Sequence, residues 1–149
     1  VLHGRAEYMR YRGMSAWYAV DTCMHTLPEV LDLSVKLGLD LDTTVGKLCR
    51  LYAWAKLAGV VNGCIGHMPD TELAGICRWR GKAEILRAAL LSSGILTRDE
   101  DTGYTICGWY NMNGKYTEQA RRDAERKAEA RRKKCAQAST TSSDPPIIS

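Results

Sequence analysis

Beyond Gly114 the chain has little with which to build a core. Residues 114–136 carry nine basic side chains (Lys115, Arg121, Arg122, Arg126, Lys127, Arg131, Arg132, Lys133 and Lys134) against four acidic ones (Glu118, Asp123, Glu125 and Glu129). Ala120, Ala124, Ala128 and Ala130 sit among these charges, and no large apolar stripe accompanies them. Such a stretch buries little against a neighbour and is either solvated or ordered by a partner. Residues 1–113 hold 12 basic and 12 acidic side chains, so the imbalance is confined to the C-terminal stretch. The pattern predicts a neutral folded domain over 14–113 followed by a basic helical extension over 114–136. A basic run of this kind suits a polyanion, most often nucleic acid. It equally fits a solvated linker kept soluble by its charge.

The extension should be marginal as a helix on its own. Alanines and long charged side chains are good helix formers, and Glu118–Arg122 and Asp123–Lys127 are supporting pairs, whereas Glu125–Glu129 opposes. An isolated helix of this length is borderline in water, so the extension is expected to become helical on a polyanion. Residues 137–149, ending in STTSSDPPIIS, read as a disordered tail. Residues 1–13 read as an unstructured leader, with Met9 or Met14 as candidate starts behind a Val at position 1. The leader lacks the apolar centre of a secretory signal, and no apolar run approaches the roughly 20 residues of a membrane span.

Within the domain, Ser15–Cys23 is rich in β-favouring residues and is expected to be extended. Pro28 opens a helix at a position where its missing N–H costs nothing. Val30, Leu31, Leu33, Val35 and Leu37 supply the apolar face, and Gly38 ends it. Asp42, Thr43 or Thr44 is expected to cap the next helix. That helix carries Val45, Leu48, Cys49, Tyr52 and Ala55 or Lys56 at steps of three and four, with Leu51 and Trp54 broadening the face, and runs to Gly59. Val60–Ile65 reads as a short strand. A third helix starts at Pro69 or Asp70, and the break RWRG spans 78–81. A fourth runs from Lys82 to Ser93 with Ile85, Leu86, Ala89 and Leu90 inward. An acidic-Gly turn over 99–103 between two β-favouring runs is a hairpin signal. The resulting class is mainly α (α+β): a winged helix-turn-helix with an extra N-terminal helix and a small β-wing.

The motifs and their order resemble the N-terminal winged-helix domain of phage replisome organisers and DnaD-like primosome proteins. The resemblance rests on several stretches over roughly residues 15–135. These are Trp17-Tyr18-Ala19-Val20-Asp21, then Leu27-Pro28-Glu29, then Gly46 to Ala55 (GKLCRLYAWA, with Tyr52 where the family usually has Trp). Leu73 to Gly81 (LAGICRWRG), Gly94 to Gly103 (GILTRDEDTG), Gly108-Trp109 and Arg122 to Lys127 (RDAERK) complete it. It implies a cytoplasmic DNA-binding protein of replication initiation, capable of homo-oligomerising. Longer family members carry a further C-terminal domain that contacts the replicative helicase or its loader. Two other readings stay open: a winged-helix transcriptional regulator, and a protein–protein or oligomerisation module without direct DNA binding.

The candidate DNA contacts are Arg78, Arg80, Lys82 and Arg87 around the helix-turn-helix junction, together with Arg121, Arg122, Arg126, Lys127, Arg131, Arg132, Lys133 and Lys134. The outward face of the fourth helix (Lys82, Glu84, Arg87, Ala88 and Ser92) is thinly equipped for base readout. Asp99, Glu100 and Asp101 at the wing tip would repel a phosphate backbone. Trp79, flanked by arginines, is a candidate for stacking on bases, whereas Trp54 and Trp109 fall at core positions. Neither a metal site nor a cofactor is expected. His3, His25 and His67 share no ligand spacing with the six cysteines, which read as structural thiols of a reducing compartment. Gly75 to Lys82 fails as a phosphate loop, having one residue too many between its glycines and Ala83 where Ser or Thr must bind magnesium. No nucleophile has a base nearby, so an enzyme is not expected.

Overall fold

The first helix, α1 (Pro28–Leu37), begins on its proline and ends on Gly38 in the left-handed conformation. This computed structural model describes residues 17–141, which fall into two units divided between Thr117 and Glu118. The leader expected over residues 1–13 and the last part of the expected tail lie outside the described residues. Trp17–Val20 forms no strand, and the first regular piece is a 3-10 turn at Met24–Thr26. In α1, Val30, Leu33 and Leu37 turn inward, while Val35 is 78% exposed and Leu31 is also on the surface. Five apolar residues in eight cannot all share one face of a 3.6-residue helix, and the i, i+3, i+7 set wins.

Helix α2 (Leu41–Leu57) is capped at least two residues earlier than the spacing suggested. Asp40, not Asp42, Thr43 or Thr44, accepts the backbone N–H of Thr43 at 3.1 Å and its hydroxyl at 2.5 Å. These bonds to the charged form hold the Asp40 carboxyl below its ordinary value. Val45, Leu48, Leu51, Tyr52 and Ala55 are buried. The strand expected over Val60–Ile65 is confined to β1 (Cys64–Gly66). Val60 still closes the end of α2 through its N–H to Ala55 at 3.0 Å, so pairing starts only beyond it.

Helices α3 (Asp70–Cys77) and α4 (Ala83–Ser92) come next, then β2 (Leu96–Asp99) and β3 (Gly103–Ile106). The three strands form an antiparallel sheet in the order β1-β3-β2, with Leu96 opposite Ile106 and Asp99 opposite Gly103. In α4 the buried stripe is Leu86, Ala89 and Leu90. Ile85, expected inward, is 45% exposed because it precedes that stripe by one position, about 100° around the helix. The chain is thus mostly helical with a small antiparallel sheet, an α+β arrangement.

The first unit continues past Trp109. A π-helical turn, Tyr110–Gly114, leads into α5 (Lys115–Thr141). Asn113, wholly buried, takes the backbone N–H of Ala19 at 2.6 Å and donates to the Ala19 carbonyl at 2.9 Å. One side chain so satisfies a stretch of irregular backbone that has no sheet partner. In the first turn of α5 the Tyr116 ring lies 5.2 Å from that of Trp17, and Thr117 accepts from Lys56 at 3.1 Å.

Gly103 at the start of β3 is a position no other residue fits. Its φ is +87°, and a Cβ there would fall inside contact distance of the Gly66 carbonyl and the His67 nitrogen. Gly103→Ala is expected to cost about 2–4 kcal/mol, combining left-handed strain with a backbone overlap between β1 and β3. A denaturant titration measures it, and an unchanged midpoint would show that the sheet yields there at no cost.

Candidate nucleic-acid interface

Of the cations proposed for the first unit, three lie together in the turn between α3 and α4. Arg78 ends α3 in the left-handed conformation, Arg80 is exposed, and Lys82 is the residue from which α4 starts. None of the three makes an ion pair among the described residues. Arg87 is different. Its guanidinium sits 3.1 Å from the Asp70 carboxylate in the first turn of α3, both partly covered. It ties α3 to α4, and its charge is already shared, so the structure does not group it with the other three.

Trp79 is half-buried, lies across Gly81 and donates its indole N–H to the Lys82 carbonyl at 2.9 Å. Its polar edge is therefore spent on shaping the turn. On the exposed side of α4, Glu84, Ile85 and Ala88 carry no donor for a base edge. In the β2–β3 turn, Asp99 accepts the N–H groups of Asp101 and Thr102 at 2.8 and 3.3 Å. His67 Nε2 lies 3.1 Å from the Asp101 carbonyl, and the Cys64 thiol donates to the Thr102 carbonyl at 3.4 Å. Both side chains brace the turn rather than converge on a point. No group of three or more metal-type ligands occurs among the described residues.

Two cations missing from the sequence-based set stand beside Arg78. Lys47 and Arg50 lie on α2, on the side away from its buried stripe. The Lys47 ammonium donates to the Arg78 carbonyl at 2.8 Å and reaches the Cys77 carbonyl at 3.5 Å. With Tyr18, Thr43, Gly46, Cys49 and Ala53 they line a shallow open depression to which the described residues contribute no carboxylate. Burial pushes the neighbouring Cys77 thiol up to about 11 against the opposing pull of Lys47, so it stays protonated and inert. The only hint in the sequence was the spacing of Lys47 and Arg50, three apart on one side of a helix.

In α5 every basic residue is exposed. All four carboxylates are engaged within the helix: Arg122 with Glu118 at 2.7 Å, Arg121 with Glu125 at 3.9 Å, Lys133 with Glu129 at 3.4 Å, and Arg126 with Asp123. Asp123 thus pairs with Arg126 rather than Lys127, and the Arg126 bond holds its carboxyl low. Glu125 and Glu129, like charges four apart, each find a cation one turn away. Lys115, Lys127, Arg131, Arg132 and Lys134 form no ion pair among the described residues. Residues 137–141, expected in the tail, continue the helix. The Ser139 hydroxyl turns back to the Cys135 and Ala136 carbonyls at 3.0 and 3.2 Å.

No protein-family model, curated protein or solved structure matches this chain. No helix among the described residues is long and apolar enough to cross a membrane.

Proposed function

We propose that this chain is a winged helix-turn-helix DNA-binding protein of replication-initiation type, whose affinity comes chiefly from its basic helix. The observation that carries DNA binding is the state of the charges on α5. Its carboxylates are consumed by neighbours, and five exposed cations remain for another partner. The winged-helix reading is supported by the order of elements. A helix and a strand precede two helices joined by a short turn, a hairpin comes after them, and the sheet order is β1-β3-β2. Replication initiation rests on the sequence resemblance alone, and contact with a helicase or its loader and self-association belong to it on the same footing. With little on α4 to read bases, phosphate contacts dominate and binding tolerates many sequences.

Titration of the full chain with duplex DNA at rising salt tests this. Five phosphate contacts on α5 alone contribute about −4 to −5 to the slope of log K against log salt, and any contact by the first unit steepens it further. A large preference for one operator over random duplex would favour a transcriptional regulator instead. A second reading, an interaction module without DNA binding, draws on Ile85 exposed on α4 and the acidic wing tip. Absence of DNA binding at moderate salt would favour it.

A further inference from the structure

Arg78 is the one non-glycine residue with a positive φ (55°) among the described residues. The position demands that conformation. The N–H of Arg78 returns to the Ala74 and Gly75 carbonyls, and that of Trp79 to the Ala74 carbonyl at 2.8 Å, closing α3 as a left-handed cap. Glycine is the residue such a cap favours, and an arginine there is strained. Nothing in the packing offsets the strain, since the side chain is exposed and forms no ion pair among the described residues.

A second anomaly lies opposite. Gly46 stands in the interior of α2, where glycine weakens a helix relative to alanine. A Cβ there would meet nothing within 4 Å, so no neighbour in the fold requires its absence. Both residues line the same depression, with Lys47 and Arg50 between them and no carboxylate among the described residues. The nearest acidic group along the chain, Asp42, lies 3.4 Å from the His25 imidazole, and Asp40 is turned onto Thr43. One position sacrifices stability to keep a cation and the other to keep space.

We infer that Lys47, Arg50 and Arg78 form a phosphate cradle for a nucleic-acid backbone, with Gly46 left bare so that the backbone lies close to α2. This rests on the DNA-binding reading and places the first unit's own contact on the α2 side of the α3 end, away from the outward face of α4. The occupant is set by charge. Three cations over a shallow, open surface with no acidic group among the described residues lining it suit a chain of phosphates better than a compact ligand, for which the depression offers no enclosure. Lys47 is already oriented by the Arg78 and Cys77 carbonyls, which leaves one N–H of its ammonium for a phosphate oxygen.

The test uses the full chain and a fluorescent random-sequence duplex. Arg78→Gly is expected to raise the melting temperature by a few degrees, because the cap gains its preferred residue, and to weaken binding several-fold with a salt slope shallower by about one. The triple variant Lys47→Gln, Arg50→Gln, Arg78→Gly should flatten the slope by about two to three. Substituting Lys82→Gln should alter binding less than Arg78→Gly does. A photo-crosslinking side chain at Ala53 should capture the duplex, and one at Ala88 on α4 should not. If the unaltered chain binds but the triple variant matches it, or crosslinks arise at Ala88 alone, the cradle is wrong while DNA binding stands. If the unaltered chain fails to bind, both fall. A lower melting temperature for Arg78→Gly would overturn the strain argument.

Discussion

Trp109→Ala should cost the first unit about 3–5 kcal/mol, the range for deleting a buried tryptophan. The ring is 1% exposed, packs at 6.0 Å from the Tyr52 ring, and donates its N–H to the Val60 carbonyl at 2.7 Å. It joins the segment after β3 to α2 through Tyr52 and to the loop that leaves α2 through Val60. Removing it opens a void and leaves the Val60 carbonyl without its partner, an additional penalty of about 1–3 kcal/mol if water does not enter. For a unit of this length each kcal/mol shifts the midpoint by roughly 4–8 °C, so a fall of roughly 15–30 °C is expected in a thermal melt. Trp109→Phe separates the two contributions: it keeps most of the packing, loses the N–H, and should fall well short of the alanine variant. The Tyr52 phenol provides an independent readout. Burial against Trp109 and its surroundings holds it up to about 12, so its titration should return toward 10 where the pocket opens. A melt within a few degrees of the unaltered chain would show that Trp109 is peripheral to the core.

Elements with a local cause were legible in the sequence. Pro28 and Gly38 bound α1 because each acts on its own backbone, and the acidic-Gly turn marks the β2–β3 hairpin for the same reason. Most of what was missed depends on partners far along the chain. β1 is short and late because its pairing is set by β3. The cap of α2 was missed for a local reason: four oxygen-bearing side chains crowd residues 40–44, and the first of them, Asp40, takes the Thr43 N–H. The turn cations Arg78, Arg80 and Lys82 were visible as a cluster, but Arg87 could not be removed from it until Asp70 was seen beside it. Lys47 and Arg50 were hidden for the converse reason: they acquire meaning only by meeting Arg78 some thirty residues later. The left-handed strain at Arg78 leaves no mark in composition or period at all.

The second large effect concerns α5. Replacing Lys127, Arg131, Arg132 and Lys134 by glutamine removes four of the five cations that no carboxylate engages. Glutamine is nearly as good a helix former as lysine or arginine, so the helix should persist by circular dichroism and the first unit should melt unchanged. Each phosphate contact contributes counterion release equivalent to a slope of about −0.9. At 0.1 M salt that is close to eightfold per contact, so four together should weaken duplex binding by about four thousandfold and flatten the slope by three to four. The loss should be the same on unrelated sequences, because cations on a solvated helix neutralise phosphates without reading bases. A loss confined to one sequence would mean that α5 enters a groove and contributes to recognition. Unchanged affinity across the salt range would mean that the helix is a solvated spacer, and DNA binding would then rest on the first unit alone.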